Sequence, residues 1–84
     1  NPFNPMTTIP FDLPEASRVQ IHIYDLTGRE VAVVASGQYS AGSHTVTFNG
    51  SGLPNGIYLI RAQMLAEDSQ KEMHCFTGKM MLMK

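Results

Sequence analysis

The sequence predicts an all-β chain folded as a sandwich of two antiparallel sheets with about seven strands, on three observations. Gly and Pro clusters at Pro14, Gly28, Gly37 to Gly42, Gly50 to Gly56 and Gly78 cut the chain into runs of about six to eight residues. Inside those runs apolar and polar residues alternate, the period of a half-buried strand. No segment carries an i, i+3, i+4 apolar pattern of helical length, so two packed sheets are the natural solution.

Each element follows in order. Thr7 to Leu13 sets Ile9, Phe11 and Leu13 on one face, and Pro10 inside the run implies an edge strand. Arg18 to Asp25 alternates most cleanly, with Val19, Ile21 and Ile23 inward and Arg18, Gln20, His22 and Tyr24 outward. Asp25-Leu26-Thr27-Gly28 reads as a hairpin loop, in which Asp25 bonds the turn backbone and Gly28 takes positive φ at a bulge. Arg29 to Ala35 is the return strand. Ser43 to Asn49 buries His44, Val46 and Phe48, which places His44 near a core boundary. Ile57 to Met64 turns Tyr58, Ile60, Ala62 and Met64 inward. A polar turn near Glu67-Asp68 leads to Lys71 to Thr77, and Lys79 to Lys84 makes a short final strand.

Eighty-four residues amount to one domain. Asn1-Pro2-Phe3-Asn4-Pro5 reads as an extended lead-in, giving a division into a Pro-rich lead-in over 1–6 and a sandwich over 7–84. With no methionine before Asn1, the chain is expected to derive from a longer product. A charged fraction of 15% and net charge −1 argue against nucleic acid as a partner. Cys75 is the single cysteine, so an internal disulfide is impossible and the thiol is expected to act as a small buried hydrophobe.

Chemistry-bearing patterns are sparse. His22, His44 and His74 fall on separate strands without metal-ligand spacing, so no metal or other cofactor is expected. The carboxylates lie in turns or on polar faces, and no Ser-His-Asp or Cys-His arrangement has motif context, so no catalytic residue is assigned. A sugar-binding sandwich is disfavoured because Trp is absent and Tyr39 is the only evidently loop-borne tyrosine. The run Lys79-Met80-Met81-Leu82-Met83-Lys84 stands out. It is far shorter than the roughly 20 apolar residues a bilayer crossing needs, and it reads either as a closing strand with lysine guards or as a recognition element.

In order along the chain, the motifs resemble those of the C-terminal sorting domains of the type IX (Por) secretion system. The type A kind, related to the immunoglobulin-like domain of the flagellar hook-capping protein, is the nearest. The opening matches at Asn1, Pro2, Phe3, Asn4, Pro5, Thr7, Thr8, Ile9, Phe11, Leu13 and Pro14. The apolar strand running into Tyr-Asp-x-x-Gly-Arg-x-Val matches at Ile21, Ile23, Tyr24, Asp25, Gly28, Arg29 and Val31. Then come Gly37, Ala41, Gly42, His44 and Val46, followed by Gly56, Ile57, Tyr58 and Arg61, and finally Lys79, Met80, Leu82 and Lys84. Gly52-Leu53-Pro54-Asn55 departs from the usual Ser before Gly56, and Leu65 to Phe76 is longer and richer in Met, His and Cys than typical.

The resemblance implies an Ig-like or fibronectin-like sandwich that carries no activity of its own. It implies an address borne by an upstream cargo, read by the outer-membrane type IX translocon after periplasmic folding. A sortase-like peptidase then usually removes the domain and joins many cargos to the cell surface, so the product is secreted or surface-bound. Translocon recognition falls on Lys79 to Lys84, while Asn1 to Pro5, Tyr24, Asp25, Gly28, Arg29, Gly42, His44, Gly56 and Tyr58 are mainly fold-defining. The alternative is a structural or adhesive Ig-like module, a subunit of an extracellular fibre, with edge strands giving a route to homo-oligomers.

Overall fold

The computed structural model describes residues 6–67 and 73–83. Among them the chain forms six strands: β1 Met6–Leu13, β2 Ser17–Tyr24, β3 Glu30–Tyr39, β4 Gly42–Asn49, β5 Gly56–Ala66 and β6 Met73–Leu82. They form two antiparallel sheets of unequal width, one of β1 and β4, the other in the order β3-β2-β5-β6. Six strands replace the expected seven because Gly78 does not end a strand. It lies inside β6 opposite Ile60, which fuses the two expected C-terminal strands into one. Gly37 likewise sits inside β3, opposite Val19, so β3 runs on to Tyr39 rather than stopping near Ala35. The expected hairpin near Glu67-Asp68 joins β5 to β6, but its tip lies outside the described residues, as do Asn1 to Pro5 and Lys84.

The central strand β2 organises the core. Val19 and Ile23 are 0% exposed and Ile21 is 1% exposed, whereas Arg18 between Ser17 and Val19 is open to solvent. Burying each such side chain contributes about 1.5–3 kcal/mol. One cluster gathers Leu13, Val19, Ile21, Ala35 and Ala62, with Phe11, Val46 and Met64 against it. A second gathers Ile23, Phe48, Tyr58 and Leu82, with Ile9, Leu53 and Met80 against it. The inward sets expected for β1, β2, β4 and β5 face the core as the alternation required. Proline also falls where a ladder tolerates it, since β1 pairs only with β4 and is therefore an edge strand.

Two strands cannot cover four. The inner face of β6 is packed at its C-terminal half by Leu82, but Phe76 on the same face is 57% exposed. A groove of about 270 Å³ opens between Ile9 to Asp12 of β1 and a floor of Ile60, Ala62 and Met64, with Phe76 at its far wall. Gly78 makes sense there, because the Phe76 ring lies about 3.1 Å from where a Gly78 Cβ would stand and covers that stretch of backbone.

Gly50 carries a sharper constraint. A Cβ on this buried residue would lie 2.8 Å from both methyls of Leu82, so the loop after β4 closes directly on the last core side chain of β6. Gly50→Ala should therefore lower stability in chemical denaturation by about 1–3 kcal/mol. Adding Leu82→Val should recover part of the loss; losses that simply add would show that the two residues are not in contact.

Candidate functional site

The terminal run, described as far as Met83, is built into the fold. Lys79 to Leu82 form the end of β6, in register with Leu59, Tyr58, Ile57 and Gly56 of β5. Alternation splits the run into two faces. Met80 and Leu82 point inward, and Leu82 is 4% exposed among Ile23, Phe48 and Tyr58. Lys79, Met81 and Met83 are exposed. The described part of the run thus closes the sheet on one face and is exposed on the other. β6 is also the outer strand of its sheet, so one row of its N–H and C=O groups points away from β5.

The Asp25 hairpin is built as its residue types dictate. Asp25 Oδ1 accepts hydrogen bonds from the Thr27 hydroxyl at 2.6 Å, the Thr27 N–H at 2.9 Å and the Arg29 N–H at 3.0 Å. The Gly28 N–H donates to the Asp25 carbonyl at 3.1 Å, and Asp25 N–H to the Arg29 carbonyl at 2.9 Å. Gly28 has φ +91°, and the pairing slips by one residue between Ile23 and Tyr24, a bulge beside the turn. The Arg29 guanidinium sits 3.4 Å from Asp25 with its side chain open to solvent, where such a contact adds little.

Other residues singled out from sequence serve the fold. Tyr58 donates to the Pro54 carbonyl at 2.7 Å and ties the β4–β5 connection to the core. His44 Nε2 lies 2.7 Å from the Ser40 carbonyl, an acceptor, so this nitrogen carries the proton. Its ring stacks on Phe11 at 5.3 Å and meets Tyr39 edge-on at 5.2 Å. Tyr39 is thus no loop residue; it ends β3 and is half-buried in that aromatic group. Gly42 with φ +119° begins β4 just after the chain crosses between sheets. Cys75 is exposed, contrary to expectation, because it occupies the outward face of edge strand β6 opposite Gln63. His22, His44 and His74 lie on β2, β4 and β6, and no group of three metal-ligating side chains occurs among the described residues.

Sequence reasoning missed the composition of the outer face of the four-stranded sheet. The registers align Arg18 with Leu65 and Met73, then Gln20 with Gln63 and Cys75. His22 follows with Arg61 and Thr77, and Tyr24 with Leu59 and Lys79. The signal lay in the outward positions of each strand, but which strands are neighbours is a matter of topology that alternation does not encode.

Among the described residues, the chain is a small pair of packed sheets with a built hairpin and an edge strand that carries a basic, apolar run. The chain belongs to the secretion system C-terminal sorting domain family, whose model matches residues 1–74. It is a C-terminal sorting signal of the type IX system, and this implies export to the cell surface or medium, attachment to a cargo and interaction with the secretion machinery. The match ends inside β6, before Lys79. No curated protein and no solved structure matches the chain.

The hairpin generates two tests. Nothing lies within 4 Å of a Gly28 Cβ, so Gly28→Val meets only conformational strain, of about 1–3 kcal/mol. Gly28→Asn should lose less, since Asn tolerates positive φ; equal drops in melting temperature would contradict a turn that demands this φ. The Asp25 carboxyl is held below its ordinary value of 3.8, chiefly by the Thr27 hydroxyl. The Arg29 and Thr27 N–H groups and the Arg29 charge add to that effect, against desolvation. A lowered folded pKa means stability present above the ordinary value and lost as pH falls through the folded one. The gap in melting temperature between the parent and Asp25→Asn should be widest near neutrality and shrink below pH 3.8; a constant gap would contradict it.

Proposed function

We propose that this domain is a non-enzymatic address of the type A, immunoglobulin-like kind, read by the outer-membrane type IX translocon once it has folded in the periplasm. The supporting observation is the split run of β6, which anchors Leu82 in the core while presenting Lys79, Met81 and a free strand edge. Such an edge suits β-augmentation, in which a receptor strand pairs with open backbone groups and reads alternate side chains. The domain is 7–84 with its lead-in 1–6 joining it to cargo. A sortase-like peptidase removes it and attaches the cargo to the surface. Deletion of Lys79 to Lys84 would be a poor test, because it takes Leu82 from the core at a cost of about 2–5 kcal/mol.

Fusing residues 1–84 to a periplasmic reporter in a host with the type IX machinery should move the reporter to the surface or medium. Processing should leave it shorter by the 9.3 kDa of the domain. Lys79→Glu with Met81→Ser, which leaves Leu82 in place, should reduce export while the melting temperature changes little. A folded, intact fusion that stays periplasmic would overturn the reading. Full-length retention on fibres would instead favour the structural module.

A further inference from the structure

We infer that the outer face of the β3-β2-β5-β6 sheet is a docking surface that extends from the β6 edge, with which it shares Lys79, across β5 and β2 to Arg61 and Arg18, and that its partner is an acidic protein surface carrying apolar side chains. The inference rests on the sorting reading and names a partner chemistry within it.

Among the described residues, charge is segregated. The chain has net charge −1, yet three of its four described cations, Arg18, Arg61 and Lys79, come from three different strands to one sheet face. All three are exposed. The one carboxylate within the strands of that face is Glu30, and its Oε1 is engaged 2.7 Å from His22 Nδ1. Among the described residues, no carboxylate pairs with Arg18, Arg61 or Lys79. Asp12 lies on β1, Glu15 in the loop before β2, Asp25 in the turn between β2 and β3, and Glu67 just past the end of β5, none of them within a strand of this face.

Shape agrees with charge. At one end a cleft of about 120 Å³ is lined by Arg18, Gln20, Gln63, Leu65 and Met73, one cation with two amides and two apolar side chains. At the other a hollow of about 300 Å³ is lined by Lys79 with Ile57, Met80 and Met81. Arg61 stands between them in the register. Each hollow can seat a carboxylate beside an apolar side chain, and the spacing of two such hollows on a rigid sheet fixes an orientation. A lipid surface fits less well, since three spaced cations are attracted to it only weakly and the interleaved methionines and leucines call for a shaped apolar partner. Four strands about 4.8 Å apart and ten residues at about 3.3 Å span on the order of 600 Å². That area falls at the transient end of protein interfaces, as a signal that must be released requires.

The test uses the 84-residue fusion in a type IX host and compares the parent with Arg18→Glu/Arg61→Glu, which leaves Lys79 and the β6 edge unchanged. Export of the double reversal should fall about tenfold or more, because like charges facing each other across an interface repel. Asp12→Lys with Glu15→Lys, off the face, should export as the parent does. Circular dichroism melts check folding; should the double reversal melt early, Arg18→Gln/Arg61→Gln is compared in its place and should lower export without adding repulsion. Parent-level export of a folded face variant overturns the docking surface alone. Retention of the parent itself overturns the sorting reading and this inference with it. Loss of binding to vesicles containing phosphatidylglycerol, with export unchanged, would assign the face to lipid and overturn the protein partner.

Discussion

The strict alternation of β2 is the constraint on which the rest of the molecule depends. Val19, Ile21 and Ile23 are excluded from solvent, and β2 is hydrogen-bonded on both sides, to β3 and to β5. A slip of one residue would turn all three into water and bring Arg18, Gln20 and His22 inside. The register is therefore fixed by burial, and it sets the registers of β3, β5 and, through β5, β6. Even the bulge near the Asp25 turn is accommodated on β3, which leaves the β2 and β5 pairing free of irregularity.

The second consequence is the unequal sheets. With only β1 and β4 on one side, the sandwich is complete over β2 and over the C-terminal end of β6, and open over Phe76. The chain handles the opening locally, by laying the Phe76 ring along Gly78, rather than by adding a strand. A small domain of this size has little core to spare, so the buried end of β6 matters disproportionately. Leu82, Phe48, Tyr58 and the close approach of Gly50 form a lock that holds the strand whose other face is presented.

How much of this was legible in the sequence follows from what alternation can encode. It specifies which residues of one strand face inward, so the inward sets of β1, β2, β4 and β5 and the Asp25 turn could be read directly. It does not specify where a strand ends when glycine lies inside it, because Gly37 and Gly78 look like punctuation and act as strand residues. It also does not say which strands are neighbours. That is why Cys75 was expected to be buried: its run looks apolar, but β6 is an edge and Cys75 lies on its outward face. The gathering of Arg18, Arg61 and Lys79 was hidden for the same reason, since they are scattered along the chain and meet only through pairing.

That gathering links stability to recognition. Arg18, Arg61 and Lys79 belong to β2, β5 and β6, so the basic face exists only while those three strands are paired. The exposed side of the terminal run is likewise held in place by the buried side, through Leu82. In an unfolded chain the same residues would be dispersed charges and an unpaired apolar stretch, with no fixed geometry for a receptor to match. A partner that binds only the assembled face would stabilise the folded state by mass action, and discriminate against unfolded chains by the same free energy. Weakening the β6 lock at Gly50 or Leu82 should then reduce recognition in proportion to the unfolded fraction, whereas changing Arg61 should reduce it with the fold intact. The two kinds of loss differ in whether lower temperature restores them, because cooling a destabilised domain toward its temperature of maximum stability refills the native state but cannot replace a missing guanidinium.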